Sequence, residues 1–409
     1  MDERRYYGLD ALRGGMMMLG IILHASMFYL AAPPATMPLP LDRNNAYAFD
    51  LLFHVIHSFR MPTFFVLAGF FASLLVEKRG LAGAYKNRAL RVLAPMLAGA
   101  VTVLPLAGLF MIDFMLAVRF GSRDILPNMN DARTLAEELR ATGIPVDQPS
   151  LGHLWFLYYL CYFYLLIPVC QFLVRHSHPF APGIRRLMSS PAFLLLLALF
   201  TAATLWPFRG GQVHEGFIFI KPHLPSLIYY GSFFVFGYLF HFHIDFLQTL
   251  TRSVPWCAGM ALILFPLSLL VTEWERAATA SGMTAPFGNH LAAVMVHGLC
   301  TWALIGFFIG GAFRYFDYDS PWILYISQSS YWVFLLHLPV VCFAGWWMLQ
   351  YDLPAAVKFT AVSTFTIFAC FVTYHYLVRK TWISEFLNGR RFDLDWPWRV
   401  PHAGQESPQ

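Results

Sequence analysis

The chain has 409 residues, 58% of them hydrophobic and only 12% charged, with a net charge of +5 and a mean hydropathy of +0.54. Soluble domains carry about 25% charged residues, so this composition excludes an ordinary soluble globular protein, and so small a net charge is no signal for nucleic acid. Aromatics reach 17%, with 40 Phe and 12 Trp, as lipid-facing and interfacial positions require.

Stretches apolar enough to span a bilayer lie near 9–31, 50–76, 90–112, 152–174, 191–208, 223–241, 254–272, 288–312, 321–347 and 355–378. They predict an all-α fold, a polytopic transmembrane helix bundle of about ten spans. Residues 1–380 form one transmembrane domain, and 381–409 form a polar tail too short to fold alone. The first stretch follows Arg4 and Arg5, as in a signal peptide, but it is too long for one and contains Arg13 and His24. It is expected to stay as a signal-anchor helix. The loop 113–150 is the one sizeable polar insertion, and Ala132 to Thr142 suit a short surface helix. A lid, an acceptor-binding element and a plain connector all fit it. Cys161, Cys170, Cys257, Cys300, Cys342 and Cys370 all lie in apolar stretches and read as buried thiols, without a disulfide framework or metal site.

With the N-terminus in the cytoplasm, 18 of the 28 Lys and Arg fall on the cytoplasmic side, 9 outside, and Arg60 within a span. The positive-inside rule then places both termini in the cytoplasm and the 113–150 loop in the periplasm.

Arg13 and His24 lie within the first span, where ionisable groups cost several kcal/mol and usually mark a functional pathway. Their spacing is about three helical turns, roughly 16 Å, which sets both on one helix face. A snorkelling arginine with a core histidine is the structural alternative. In the second span, Asp50, His54, His57 and Arg60 recur at steps of four and three, again on one face. Arg60 and His24 reach the midplane from opposite ends. The alternative here is a polar seam with His57 bonded to a backbone carbonyl. A His-x-x-His metal site lacks further ligands, so no metal is expected.

Arg13, His24, His57, Arg60, His297 and His337 are all basic, and no Asp or Glu falls deep in any expected span. Buried charges need partners, so an anionic ligand is the expected one. Arg88 and Arg91 open the third span at i, i+3, where their guanidinium groups can fork onto phosphate oxygens. Ordinary positive-inside flanking explains them equally well. His153 and Trp155 start the fourth span. His337 precedes Pro339, which frees a backbone carbonyl for a histidine to satisfy.

These motifs resemble the acyltransferase 3 family of integral membrane acyltransferases. The resemblance rests on Leu9-Asp10-Ala11-Leu12-Arg13-Gly14 with His24, the Ser58–Phe70 segment with Arg60, Arg88-x-x-Arg91, His153-Leu154-Trp155, and Ser330-Tyr331 with His337-x-Pro339. It covers about Tyr7 to Arg379. It implies an O-acyltransferase that takes an acyl group from cytoplasmic acyl-CoA, a donor substrate and not a resident cofactor, and moves it to hydroxyls of a periplasmic glycan. It further implies a setting in a bacterial inner membrane, His24 as general base, Arg13 as a second catalytic residue, and Arg88, Arg91 and Arg13 on the CoA phosphates. Arg60, His57, His153, Trp155 and His337 are the expected substrate-binding residues. The wording around Arg60, without an attached hydrolase domain, is similar to a subgroup associated with succinylating periplasmic glucans. Acetyl transfer to another envelope polysaccharide is an alternative, as is a transporter or flippase for an anionic lipid or glycan. Membrane lipids are expected partners and nucleic acid is not. A non-catalytic scaffold would leave the clustered intramembrane bases unexplained.

Overall fold

The computed structural model describes residues 5–34, 39–121, 128–141, 150–177, 181–208, 210, 213, 222–244, 246–280 and 287–397. Every regular element among them is a helix: α1 (Tyr7–Ser26), α2 (Tyr47–Arg88), α3 (Ala94–Phe120), α4 (Met129–Ala141), α5 (Trp155–Tyr164), α6 (Ile167–Ser177), α7 (Ala181–Met188), α8 (Pro191–Leu205), α9 (Leu224–Phe240), α10 (Phe246–Ala280), α11 (Phe287–Tyr315), α12 (Pro321–Met348), α13 (Ala355–Thr373) and α14 (Trp382–Asn388). The fold is an all-α polytopic bundle. Six helical runs are long and apolar enough to cross a membrane, and up to eight if each bent pair counts as one span.

Each expected segment coincides with a helix, a bent helix pair or part of a broken run. Tyr47–Phe120 is one run of 74 residues. It breaks at Gly80, whose φ of 68° is costly for any residue with a Cβ. The fourth segment is not a single helix but α5 and α6, bent by 50°. Pro168 supplies the cause: it has no N–H and its ring collides with the carbonyl of Tyr164, where α5 ends. α3 continues to Phe120, well past the expected boundary at 112. α4 is the short helix expected in the loop, and Arg119 forks onto Glu138 with two 3.0 Å bonds that tie it to α3. Residues 122–127 and 142–149 of that loop lie outside the described residues.

α1 packs on α2, α11, α12 and α13, which makes it an inner element. Burial agrees: 56% of the apolar stretch of α1 and 67% of that of α11 is buried, against 22% for α10. α10 instead presents Trp256, Leu262, Ile263 and Leu270 outward, as lipid contact requires. α2 and α9 approach so closely that a Cβ on Gly69 would strike the Phe234 carbonyl, and one on Gly237 would strike that of Val66. Small residues at such crossings let backbones pack without intervening side chains. All six cysteines are free thiols, five of them buried.

Lys358, one of the nine cations counted outside, is not exposed to solvent. It is fully buried at the start of α13, with its Nζ 2.7 and 3.0 Å from the Asp42 carboxylate. Asp42 also accepts from the Asn44 amide at 2.9 Å, so the pair pins the segment between α1 and α2 onto α13. Removing one partner of such a pair strands the other charge. Lys358→Met should therefore destabilise the purified protein by about 3–5 kcal/mol in denaturant or thermal unfolding, and Asp42→Leu combined with it should recover most of the loss.

Candidate active site

Two neighbouring cavities collect the residues singled out above. The larger, about 710 Å³, lies at the end of the bundle where α1 begins and α2 ends. It is lined by Arg5, Arg13, Lys78, Arg79, Arg88, Arg91 and Arg390, with no Asp or Glu among its lining residues. Arg13 donates to the Ser327 hydroxyl and to its carbonyl at 3.2 Å, and lies 3.4 Å from Asp10. Asp10 is buried; it also accepts from Arg5 at 2.9 Å and from the Ser327 hydroxyl at 2.8 Å. This corrects the expectation that Arg13 has no carboxylate partner: the acid stands three residues before it on the same helix face.

Arg88 and Arg91 do not act as a matched fork. Arg88 points into the cavity, 5.3 Å from the Tyr164 ring centroid, with only a 3.5 Å contact to the Phe71 carbonyl. Arg91 turns to the C-terminal end of α14, donating to the carbonyls of Glu385 and Phe386. The Nε atoms of Arg13 and Arg88, the Tyr331 hydroxyl and the Gln328 side-chain oxygen are buried here without a hydrogen bond among the described residues. Ser327, Gln328, Tyr331, Arg5, Lys78, Arg79 and Arg390 were not among the expected site residues. The basic ones read in sequence only as flanking charge.

The second cavity, about 70 Å³, is lined by His24, His57, Arg60, His153, Trp155 and His337. The His24 and His337 rings lie 5.2 Å apart between centroids, and His153 and His337 5.4 Å. His337 lies on α12. Its Nδ1 donates to the carbonyls of Val333 (3.0 Å) and Phe334 (2.8 Å), which leaves Nε2 as a buried acceptor without a partner among the described residues. His153 donates from Nε2 to the Leu335 carbonyl at 3.1 Å, leaving Nδ1 as a second such acceptor. Leu335 is the residue whose helical donor Pro339 removes. The freed carbonyl is thus taken by a histidine, as expected, but by His153 from another helix and not by His337. His57 donates to the Val213 carbonyl at 2.7 Å and stacks on Phe53, so its Nε2 is occupied although the ring still lines the cavity. His297 lies outside this cavity, bonded to the Ala293 carbonyl and close to Thr272.

Arg60 is buried beside His24 with no carboxylate partner, and its Nε has no hydrogen bond, among the described residues; its guanidinium lies over the Phe64 ring, 6.0 Å from the centroid. Met17, Phe64, Phe156 and Phe334 line both cavities and form the wall between them. α1 therefore contributes Arg13 to one chamber, Met17 to the wall and His24 to the other. These positions suit acyl or phosphoryl transfer chemistry: cations to hold an anionic substrate, and imidazole acceptors to take a proton.

Residues 6–375 match the profile of the acyltransferase 3 family, described as an acyltransferase domain. The chain belongs to that family. Glucans biosynthesis protein C of Salmonella paratyphi B is 25% identical to this acyltransferase over 398 residues, 94% of this chain and 95% of the relative. The protein of the same name from Escherichia coli O139:H28 is 24% identical over 411 residues, 95% and 96% of the two chains. That of Salmonella heidelberg is 25% identical over 394 residues, 94% and 95%. No solved structure matches the chain.

Gly20 lets Arg60 reach the histidine cavity of this acyltransferase, because a Cβ there would lie 2.6 Å from Arg60 Nη1. A guanidinium can swing away from such a contact, so Gly20→Ala should fold and yet displace Arg60. The expected result is transfer activity lowered by at least about tenfold, a change of 1.4 kcal/mol in barrier, with an unfolding midpoint close to that of the parent. Activity and thermal unfolding measured on one preparation check both halves.

Proposed function

We propose that this protein moves an acyl group, succinyl in the favoured case, from acyl-CoA at the basic end of the bundle to a hydroxyl of a glucan arriving from the opposite end. The reading takes the basic end as cytoplasmic and the opposite end as periplasmic, in agreement with the Lys and Arg distribution. One observation carries it: a cavity lined by seven cations and no carboxylate shares a wall with a cavity of four imidazoles and a buried arginine. The first suits the phosphates of CoA, the second suits the thioester and the attacking hydroxyl. The curated relatives named glucans biosynthesis protein C support a glucan as the acceptor.

In this reading Arg88 and Arg13, with Arg5, Lys78 and Arg79 around them, hold the phosphates. Arg91 contributes positive charge while its guanidinium stays on the carbonyls of α14. The pantetheine arm passes Met17 and Phe64, and the thioester carbonyl lies beside His24. Neutral His24 takes the proton from the glucan hydroxyl as its oxygen attacks the thioester carbon. The tetrahedral intermediate collapses, the C–S bond breaks, and the imidazolium returns the proton to the departing CoA sulfur. Arg60, desolvated and without a carboxylate from the chain, pairs with the terminal carboxylate of the succinyl group. Arg13 holds Ser327 and the start of α12 in register with α1 while facing the donor.

The test is ester formation, read by mass, with purified protein, acyl-CoA and periplasmic glucan. His24→Ala should lower turnover by about 10²- to 10⁴-fold, the range for loss of a general base, while CoA binding persists. Arg88→Ala should weaken CoA binding by about 1.5–3 kcal/mol. Arg60→Met should shift competition between succinyl-CoA and acetyl-CoA toward acetyl-CoA. Near-normal turnover in His24→Ala would remove it from the chemistry, and an equal loss with both donors would make Arg60 structural.

A further inference from the structure

The polar C-terminal segment is folded into the basic cavity. Thr381 caps α14, its hydroxyl oxygen accepting from the Ile383 amide at 3.3 Å, and Gly389, at φ 88°, ends the helix. The chain then turns back. The Ser384 hydroxyl donates to the Arg390 carbonyl at 3.0 Å, and the Phe392 amide donates to the Arg379 carbonyl at 2.9 Å. Trp396 closes the segment by stacking on His375, 3.7 Å between centroids and 13° from parallel. Both ends of 381–397 are thus fixed to the transmembrane body.

A helix C-terminus ordinarily repels phosphate, because its last carbonyls are unsatisfied and carry the negative end of the helix dipole. Here Arg91 occupies the carbonyls of Glu385 and Phe386. Its guanidinium also explains the glycine, since a Cβ at Gly389 would lie 3.1 Å from Arg91 Nη2. With that end neutralised, Leu387, Asn388, Gly389 and Arg390 line the cavity. Arg391 is engaged with Glu385 at 3.0 Å, whereas Arg390 stacks over Phe392 and pairs with no carboxylate among the described residues.

We propose that the segment 381–397 is a wall of the donor site and that Arg390 binds phosphate of a nucleotide-bearing acyl donor. This deepens the acyl-CoA reading and rests on it. Arg390 supplies a cation from outside the transmembrane helices, at the mouth of the cavity, where the 3′,5′-bisphosphate end of CoA would lie while the thioester reaches His24.

The test measures binding of coenzyme A by calorimetry to the full chain in detergent. Arg390→Ala, a change at an exposed side chain, should raise Kd about tenfold, as loss of one charge-assisted bond does. Arg390→Lys should recover part of it, and Arg186→Ala, on α7 outside the cavity, should bind as the parent does. Parent-like affinity in Arg390→Ala, with Arg88→Ala weakened, would overturn the tail site and leave the donor reading intact. Parent-like affinity in both variants would overturn both, and a loss in Arg186→Ala as large as in Arg390→Ala would reduce the effect to general surface charge.

Discussion

Arg13, Met17, Gly20 and His24 follow one another at steps of four, three and four along α1. That face joins two chambers with different chemistry. Arg13 lines the cation-rich cavity, Met17 stands in the shared wall, Gly20 leaves room for Arg60, and His24 lines the histidine cavity. A slip of one residue would rotate all four by about 100° and separate the chambers from one another. α1 is held in register by Asp10 and Arg13 against Ser327 of α12, so the same contacts that orient the helix also shape the cation-rich cavity.

Away from the cavities, two buried ion pairs close within the chain. Lys358 is bonded to Asp42, and Glu275 to His290 at 2.9 Å. At the two cavities Arg13 and Arg5 share Asp10, but other polar atoms are left open. Arg60 Nε, Arg88 Nε, His153 Nδ1, His337 Nε2 and the Tyr331 hydroxyl are all buried without a hydrogen bond among the described residues. Leaving polar atoms in this state costs on the order of 1–3 kcal/mol each. These five groups line two cavities that share a wall, an arrangement that fits a site built for an anionic substrate.

Much of the site was legible because it follows from helical periodicity. The spacing of Arg13 and His24, the face carrying His57 and Arg60, and the depth of Arg60 need only 3.6 residues per turn. Contacts between distant segments were not legible. Pro339 announced a free carbonyl, but nothing local to it named His153, 182 residues away from Leu335, as the donor. The burial of Lys358 depends on Asp42, 316 residues distant. Two local signals were available. Asp10 at i, i+3 from Arg13 is a recognisable pair. Thr381 and Gly389 flank Trp382, Ile383, Phe386 and Leu387, a capped apolar face that marks α14. The tail's polarity hid that helix, since its partners lie on α12, the turn after α13 and the segment joining α2 to α3.

If the two cavities serve one reaction, the acyl group crosses the membrane while the CoA does not. Sealed proteoliposomes whose protein has its basic end outward test this most directly, with glucan trapped in the lumen and isotope-labelled acyl-CoA added only outside. The account predicts labelled ester on the lumenal glucan while intact acyl-CoA stays outside. Ester appearing only when donor and glucan share one compartment would contradict it.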